Sequence, residues 1–378
     1  MDRKEICVNE HFGMITNETS TLQFSFLVMP LKNRKGVAKE DFITLDHPLW
    51  GGTCPILAKI TEVKSYEEVV GTTLGDKIGR ILADAEIIGY INLKEEKKPI
   101  HKLLTPPNPG TRIHFPYIEF LEDIFTRDLI GKPFKTPIHV GNLKAEAQSK
   151  EGNLKPVKFH LNGEDLTSTH TLITAMDGAG KTHIATTIIE EIAKKTQTPI
   201  VIIDPHGEYN TIAKHTKRTH ETITYYANRK PKNPAETIKL NQITTLNTEN
   251  LTPEEKQKIL SHQLEEIWKA KLEKNTPTFL LVIEEPENLK NKTLETMTDE
   301  GAKHGIALIL IAKHPAELGG KTLSQTSTQI IGRTTDKDDI ELLKNMALEK
   351  TPCLPKLRQG EWIVTGINIR EPIEITTR

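Results

Sequence analysis

TLITAMDGAGKT, Thr171–Thr182, is the stretch on which the reading of this chain turns. A short apolar strand, Thr171–Thr174, runs into a turn with two glycines and closes in Lys181-Thr182. A helical pattern follows at once, with Ile184, Ile188 and Ile192 four residues apart on one face. Strand, glycine-rich loop ending in Gly-Lys-Thr, then helix is the layout of a phosphate-binding loop. Backbone N–H groups curl around a phosphate, the helix N-terminus adds its positive dipole end, Lys181 neutralises charge and Thr182 offers a hydroxyl to Mg²⁺. The expected contacts run from Asp177 through Gly178, Ala179, Gly180, Lys181 and Thr182 to His183. Ala175 stands where the first glycine of the pattern usually stands, which is harmless at negative φ and strained at positive φ. A chance Gly-Lys-Thr in a loop is the competing reading, and the flanking strand and helix weigh against it. The expected ligand is a nucleoside triphosphate.

Length and composition set the bounds. The 378 residues suit two or three domains, each able to bury a core. A net charge of −1 means that nucleic acid would have to be met by a local basic patch rather than by an overall field. Aromatic residues at 5% argue against a single-strand binder built on base stacking. Cys7, Cys54 and Cys353 lie far apart with no paired spacing, which supports neither a zinc site nor a disulfide framework and suits a reducing compartment. No run approaches the roughly 18 apolar residues of a spanning helix, and Met1–Glu5 does not lead into a signal peptide. A soluble, cytoplasmic protein with no membrane contact is expected.

Residues 6 to 100 read as short strands broken by turns: Phe12–Ile15, Leu22–Val28, Phe42–Leu45, Ile56–Val63 and Ile87–Ile91. Leu22–Phe26 alternates with period two, as a half-buried strand does. Strands at this spacing suggest a small β-barrel, with an unrelated small β-domain as the alternative. Tyr66–Leu82 reads as an excursion with some helix. Thr105–Gly110, rich in proline, marks a linker. A short helix is expected over Phe120–Leu129, turns over Gly131–Asn142 and a strand at Val157–Leu161. Strand and helix then alternate, with apolar runs at Pro199–Ile203, Phe279–Ile283 and Ile306–Ala312, a form suited to strands buried on both faces. Thr252-Pro253-Glu254-Glu255 opens a charged helix to Leu272, and Glu361–Gly366 reads as an edge strand. The alternation predicts a three-layer α/β domain.

Two further motifs carry chemistry. Five apolar residues, Phe279–Ile283, lead into Glu284-Glu285, the form of a Walker B strand. Glu284 would help to hold Mg²⁺, and Glu285 would polarise the water that attacks the terminal phosphate. A solvated acid pair at a strand end is the alternative. Asp204-Pro205-His206-Gly207-Glu208-Tyr209 follows the strand that ends at Ile203. It puts Asp204 and Glu208 on the nucleotide side of a parallel sheet, although such a turn can also be purely structural.

Together these stretches resemble the HerA branch of the FtsK–HerA ATPases. Glu284-Glu285-Pro286-Glu287-Asn288 is similar to that family's Asp-Glu-Ala-His-Asn, and Ile309–Ala312 runs into Lys313-His314-Pro315 where the family usually has Gln-Arg-Pro. Leu323-Ser324-Gln325, Ile330–Arg333, Asp339 and Leu354–Glu361 follow the family's order. The resemblance implies a RecA-like P-loop ATPase core with a mostly parallel sheet over 166–378, a connecting segment over 101–165 and an N-terminal β-barrel for assembly or docking over 1–100. It implies ATP and Mg²⁺ as cofactors and a homohexameric ring that moves double-stranded DNA. A nuclease partner is also implied, NurA in archaeal members and other effectors in bacterial phage defence. Arg333 would take a nucleotide-sensing or finger role and act with Glu285 and Lys181 in catalysis; a surface arginine is the alternative.

Departures bear on rate. Ala175 replaces a glycine, Glu284 an aspartate, Ala302 an arginine and Lys313 the sensor glutamine, and the spacing from Lys181 to Glu284 is shorter than the family's. Losing a cationic finger or a polar sensor slows hydrolysis by orders of magnitude. The expected activity is therefore an ATP-dependent DNA translocase or helicase of reduced turnover, working in DNA end processing, repair or phage defence. The alternative is a weakly hydrolysing scaffold ring that positions a nuclease. Lys214–Arg218 and Arg229–Lys232 are candidate DNA-backbone contacts or simply solvated faces. His206, His304 and His314 show no metal-ligand spacing.

Overall fold

The structure, a computed structural model, describes residues 6–377 apart from 9, 30–35, 70–76, 227–237, 274, 275 and 290. The chain divides into two compact units, Met1–Phe134 with Asn142–Phe159, and Lys135–Gly141 with His160–Arg378.

In the first unit the expected barrel is present. Its strands are β1 (Gly13–Thr19), β2 (Gln23–Val28), β3 (Phe42–His47), β4 (Gly51–Val69), β5 (Lys77–Ile91), β6 (Ile100–His101) and β7 (Arg112–His114). The antiparallel order β2-β1-β7-β3-β4-β5 closes through a β2–β5 pairing, with β6 added at the end of β5. Closure removes the open edges that would invite pairing with other chains. Alternation sets the faces: Phe24 and Phe26 point into a core shared with Phe12, Ile43, Ile56 and Ala85. On β2's other face, the Ser25 hydroxyl donates to Asp84 at 2.6 Å and Lys64 pairs with the same carboxylate at 3.0 Å. Two expectations change. Residues 66–69 and 77–82 are strand rather than helix, and barrel strand β7 follows the proline-rich stretch taken as a linker.

α1 (Ile118–Phe125), β8 (Pro137–Gln148) and β9 (Leu154–Asn162) come next. Residues 137–142, expected as turn, are therefore extended. The second unit continues with α2 (Gly163–Ser168), β10 (His170–Thr174), α3 (Lys181–Lys195), β11 (Ile200–Asp204), α4 (Ile212–Thr216), β12 (Glu221–Tyr226), β13 (Gln242–Asn247) and α5 (Pro253–Leu272). It ends with β14 (Phe279–Glu284), α6 (Lys292–Glu300), β15 (Ile306–Ala312), α7 (Pro315–Ser324), β16 (Thr326–Ile331), α8 (Lys337–Ala347), β17 (Glu361–Gly366) and β18 (Ile373–Thr376). α5 starts as its sequence predicts. Thr252 accepts from the Glu255 N–H, and the Glu255 side chain accepts from the Thr252 N–H, a capping box with Pro253 at the first helical position.

The sheet order is β12-β13-β11-β14-β15-β10-β16-β17-β18-β8-β9. From β12 to β16 every neighbouring pair is parallel. β17 and β18 run antiparallel to their neighbours β16 and β17, so β17 is an interior strand and not the expected edge. Strands β10, β11, β14 and β15 are buried throughout, which explains their unbroken apolar runs. They are four adjacent parallel strands, so their C-terminal ends line one edge of the sheet. Ligands in open α/β sheets bind at that edge.

Candidate active site

Four strand ends build one open cleft of about 470 Å³. β10 delivers the phosphate loop, β11 the turn with His206 and Glu208, β14 the pair Glu284-Glu285, and β15 contributes Ile311.

The loop between β10 and α3 has the cradle its sequence predicts. Gly178 and Gly180 sit at φ +76° and +105°, a region that L side chains avoid, and Gly180 is the N-cap of α3. Ala175 is not among the residues with positive φ, so alanine is tolerated there without backbone strain. It is fully buried, and a Cβ built on Gly332 would come within 2.8 Å of the Ala175 Cβ and 2.7 Å of the Trp362 ring. The Ala175 methyl thus packs against a facing glycine, and the loop floor is close-packed. Gly360 N–H donates to the Ala179 carbonyl at 3.1 Å and Met176 N–H to the Arg333 carbonyl at 2.8 Å, fixing the loop from the C-terminal side.

Lys181 Nζ lies 2.9 Å from the Ala175 carbonyl and 3.3 Å from Asp177 Oδ1. Lys313 Nζ reaches Asp177 Oδ2 at 2.5 Å. The Lys313 contact, ahead of Lys181, holds the Asp177 carboxyl below its usual range.

Thr182 Oγ1 donates to Glu208 and lies 3.3 Å from Glu284 Oε1. Glu284 Oε1 also accepts the Tyr209 hydroxyl at 3.0 Å, while the buried Glu284 Oε2 has no hydrogen-bond partner. Burial pushes the Glu284 carboxyl up to about 7, with Glu208 and Asp204 adding and the Tyr209 hydrogen bond opposing. Burial, then the charge of Glu284, raises the Tyr209 phenol well above its ordinary value. An unpartnered carboxylate oxygen beside a threonine hydroxyl and a second carboxylate is a donor set that suits a hard, oxygen-seeking cation. Thr182, Glu284 and Glu208 would hold Mg²⁺, which would supply positive charge to phosphate oxygens. Among the described residues no group of three or more His, Cys, Asp or Glu is set to hold an ion. Mg²⁺ bound largely through substrate phosphates needs no such group.

Glu285 follows at φ +48°, ψ +52°, a conformation rare for a non-glycine residue and rarer before a proline such as Pro286. That strain is the kind that persists at functional positions. His206 Nε2 lies 3.0 Å from Glu285 Oε1, and Asn288 Nδ2 donates to Oε2 at 3.0 Å. The carboxylate is thus steered by two neighbours and remains accessible from the cleft.

Not every expected residue reaches the ligand space. Asp204 is fully buried; its Oδ1 accepts from the Gly207 and Glu208 N–H groups at 2.7 and 3.1 Å, and its Oδ2 from Tyr209 N–H at 3.2 Å. It shapes the turn that presents Glu208 and Tyr209 rather than contacting a ligand. Ala179 is buried beneath the loop, whereas His183 lines the cleft. Arg333 meets the loop by its backbone; its side chain is exposed, is not among the residues that line the cleft and forms no ion pair among the described residues. Several contributors carried no site assignment, among them His206 and Asn288, which steer Glu285. Tyr209 was visible in its motif as a tyrosine beside two acids. Glu287, which accepts Lys313 N–H at 2.7 Å, was visible as a third acid after β14. Gln359, at the cleft wall, carries no local signal.

Residues 138–337 match the family described as "Helicase HerA, central domain". The chain belongs to the HerA helicase family. A probable helicase of Methanocaldococcus jannaschii is 32% identical over 155 residues, covering 40% of this chain and 25% of the relative. The DNA double-strand break repair helicase HerA of Sulfurisphaera tokodaii is 27% identical over 154 residues, covering 36% and 31%. The HerA of Pyrococcus furiosus is 25% identical over 217 residues, covering 53% and 35%. The chain thus matches about a quarter to a third of the length of these relatives. Among solved structures, the genome packaging NTPase B204 of Sulfolobus turreted icosahedral virus 2, in complex with AMPPCP, aligns at TM-score 0.44 and 15% identity, covering 56% of this chain and 98% of that one. VirB4 of Thermoanaerobacter pseudethanolicus aligns at 0.47 and 12%, covering 65% and 96%. No helix among the described residues is long and apolar enough to cross a membrane.

Proposed function

We propose that this chain is an ATP-dependent double-stranded DNA translocase of HerA type, working as a ring of six subunits beside a nuclease partner in DNA end processing or phage defence. The observation that carries the proposal is the meeting of Lys181, Thr182, Glu284 and Glu285 in one cleft. In this reading the loop N–H groups and Lys181 hold the phosphates of ATP, and Thr182 with Glu284 holds Mg²⁺. Glu285, aimed by His206 and Asn288, takes the proton of the attacking water. The DNA side rests on relatives named as DNA double-strand break repair helicases. Lys214, His215, Lys217 and Arg218 are all exposed and available for sequence-independent phosphate contact, whereas Arg229–Lys232 lies outside the described residues. The barrel serves assembly or docking.

One observation favours a second reading, a scaffold ring that binds nucleotide and hydrolyses it poorly. At the sensor position Lys313 supplies an ammonium already paired with Asp177, and an ammonium cannot orient water as an amide does. Steady-state ATPase with and without linear duplex DNA, for wild type and Glu285→Gln, separates the two. DNA-stimulated turnover abolished by the substitution is the expected result. Wild-type rates no higher than the variant's would sink the translocase and leave the scaffold. A monomeric mass with nucleotide bound would refute the ring.

A further inference from the structure

We infer that Asp177 is a built-in stand-in for the terminal phosphate, and that Lys313, the cation it holds, makes the cleft selective for nucleoside triphosphates over diphosphates. The inference rests on the reading of the cleft as a nucleotide site. Asp177 lies within the phosphate loop, and its two oxygens face two different ammonium groups. Oδ1 faces Lys181 at 3.3 Å and Oδ2 faces Lys313 at 2.5 Å. One small anion gripped from two sides by lysines is the arrangement a terminal phosphoryl group demands of its site.

The two lysines come from separate elements. Lys181 opens α3, and Lys313 follows the last residue of β15, so nothing local brings them together. The base of Lys313 is fixed: its N–H donates to the buried Glu287 Oε1 at 2.7 Å, as does His314 N–H at 3.3 Å. His314 is anchored in turn by the buried Asp339, Nδ1 to Oδ2 at 3.1 Å, and Asp339 Oδ1 accepts Ala316 N–H at 3.0 Å. A rigid backbone with a long, flexible stem lets the ammonium exchange one anion for another without refolding. Asp177 itself is about two-thirds exposed, so the pair it forms is a weak one that a multiply charged phosphate can displace.

When a triphosphate enters, its terminal group takes the place of the Asp177 carboxylate between Lys181 and Lys313, and the carboxylate swings to solvent. A diphosphate has no group that reaches Lys313, so the Asp177–Lys313 pair stays closed. Asp177 therefore competes with triphosphate and Lys313 rewards it.

The test is equilibrium binding to the full chain of a non-hydrolysable ATP analogue and of ADP, each with Mg²⁺. The proteins are wild type, Asp177→Asn, Lys313→Met and Lys313→Arg, with thermal melts to confirm folding. Asp177→Asn is expected to tighten the triphosphate analogue by up to about fivefold, the equivalent of one exposed ion pair, and ADP by less, since only Lys181 is released for a diphosphate. Lys313→Met should weaken the analogue by about tenfold and leave ADP unchanged, and Lys313→Arg should recover most of the loss. Asp177→Asn with no effect on the analogue, or Lys313→Met weakening both nucleotides equally, overturns the inference while leaving a nucleotide site in place. Wild-type protein that binds neither nucleotide overturns both the inference and the nucleotide reading.

Discussion

The barrel and the nucleotide cleft bury polar groups under opposite rules. In the barrel, Asp41 accepts Ala38 N–H at 2.8 Å and His114 Nδ1 pairs with the Val8 carbonyl at 3.0 Å. No buried side-chain nitrogen or oxygen among the described residues before Asp123 lacks a hydrogen-bond partner. In the cleft Glu284 is buried and keeps one carboxylate oxygen without a partner, as does the buried Glu287 just behind it in sequence. A buried carboxylate oxygen without a partner costs stability, so at Glu284, beside Thr182 and Glu208, it goes with a donor set that suits a cation. The barrel is organised for stability and the cleft for a ligand.

The sharpest way to break this contrast is a pair of truncations. Phe26 is fully buried in the barrel, with its ring 6.0 Å from those of Phe12 and Phe24. Phe26→Ala should lower unfolding free energy by about 3–4 kcal/mol in a denaturant titration. Lys181→Ala should change stability by under about 1 kcal/mol, yet weaken nucleotide binding by about tenfold to a hundredfold, read by calorimetry. A Lys181→Ala protein that loses several kcal/mol of stability while still binding nucleotide would reverse the assignment.

The next effect is a pH dependence confined to the cleft. The folded Glu284 carboxyl stands at about 7 against an ordinary 4.5, so between those values the folded state holds a proton that the unfolded state has released. Stability then falls as pH rises from about 4.5 to about 7 and stays low above it, a loss of about 3 kcal/mol for this group. Comparing wild type with Glu284→Gln isolates it: the variant should lack this slope and be the more stable protein at pH 8 without nucleotide. Parallel stability curves for the two would show that the buried carboxyl does not titrate there.

A smaller effect tests whether the floor of the phosphate loop is packed like the barrel core. Gly332→Ala drives a Cβ to within 2.7 Å of the Trp362 ring and 2.8 Å of Ala175. The expected loss is about 2 kcal/mol. Adding Ala175→Gly, which reinstates the usual glycine, should recover part of it, and a double-mutant cycle measures the coupling. Strict additivity would mean that the two positions do not feel each other.

The sequence made some of this contrast legible and hid the rest, for physical reasons. Strands β11, β14 and β15 were plain because burial on both faces leaves no polar residue to interrupt the run. Barrel strands were located by alternation but cut short: β4 continues past Val63 into Lys64 and Ser65, where the apolar pattern ends. β12 and β13 went unnoticed: Gln242–Asn247 is buried from end to end although four of its six residues are threonine, glutamine or asparagine. In the cleft, Lys181, Thr182, Glu284 and Glu285 were readable because their chemistry fixes their position relative to a strand end. Asp204 stayed open because an acid after a strand looks the same whether it meets a ligand or caps its own turn, and here its oxygens accept from that turn. Gln359 could not be found locally, since its place is set by Gly360 docking on Ala179 across the fold.

Tyr209 gives the finest division between the two rules. Its ring is buried as a core residue would be, yet its hydroxyl serves the cleft by donating to Glu284 Oε1 at 3.0 Å. Tyr209→Phe keeps the ring and removes the donor, so packing is retained and a net loss of about 1 kcal/mol is expected. The sharper readout is electrostatic. A hydrogen bond to the charged form favours that form, so without it the Glu284 carboxyl should titrate above its present value of about 7. The pH at which the wild-type curve stops falling against Glu284→Gln should therefore move upward in the Tyr209→Phe background, which also raises the midpoint of the fall. If the midpoint stays put while stability drops, Tyr209 belongs with the barrel's phenylalanines as packing. If it moves, the tyrosine sets the charge on the carboxylate proposed to hold the cation, and the boundary between the two rules runs through a single side chain.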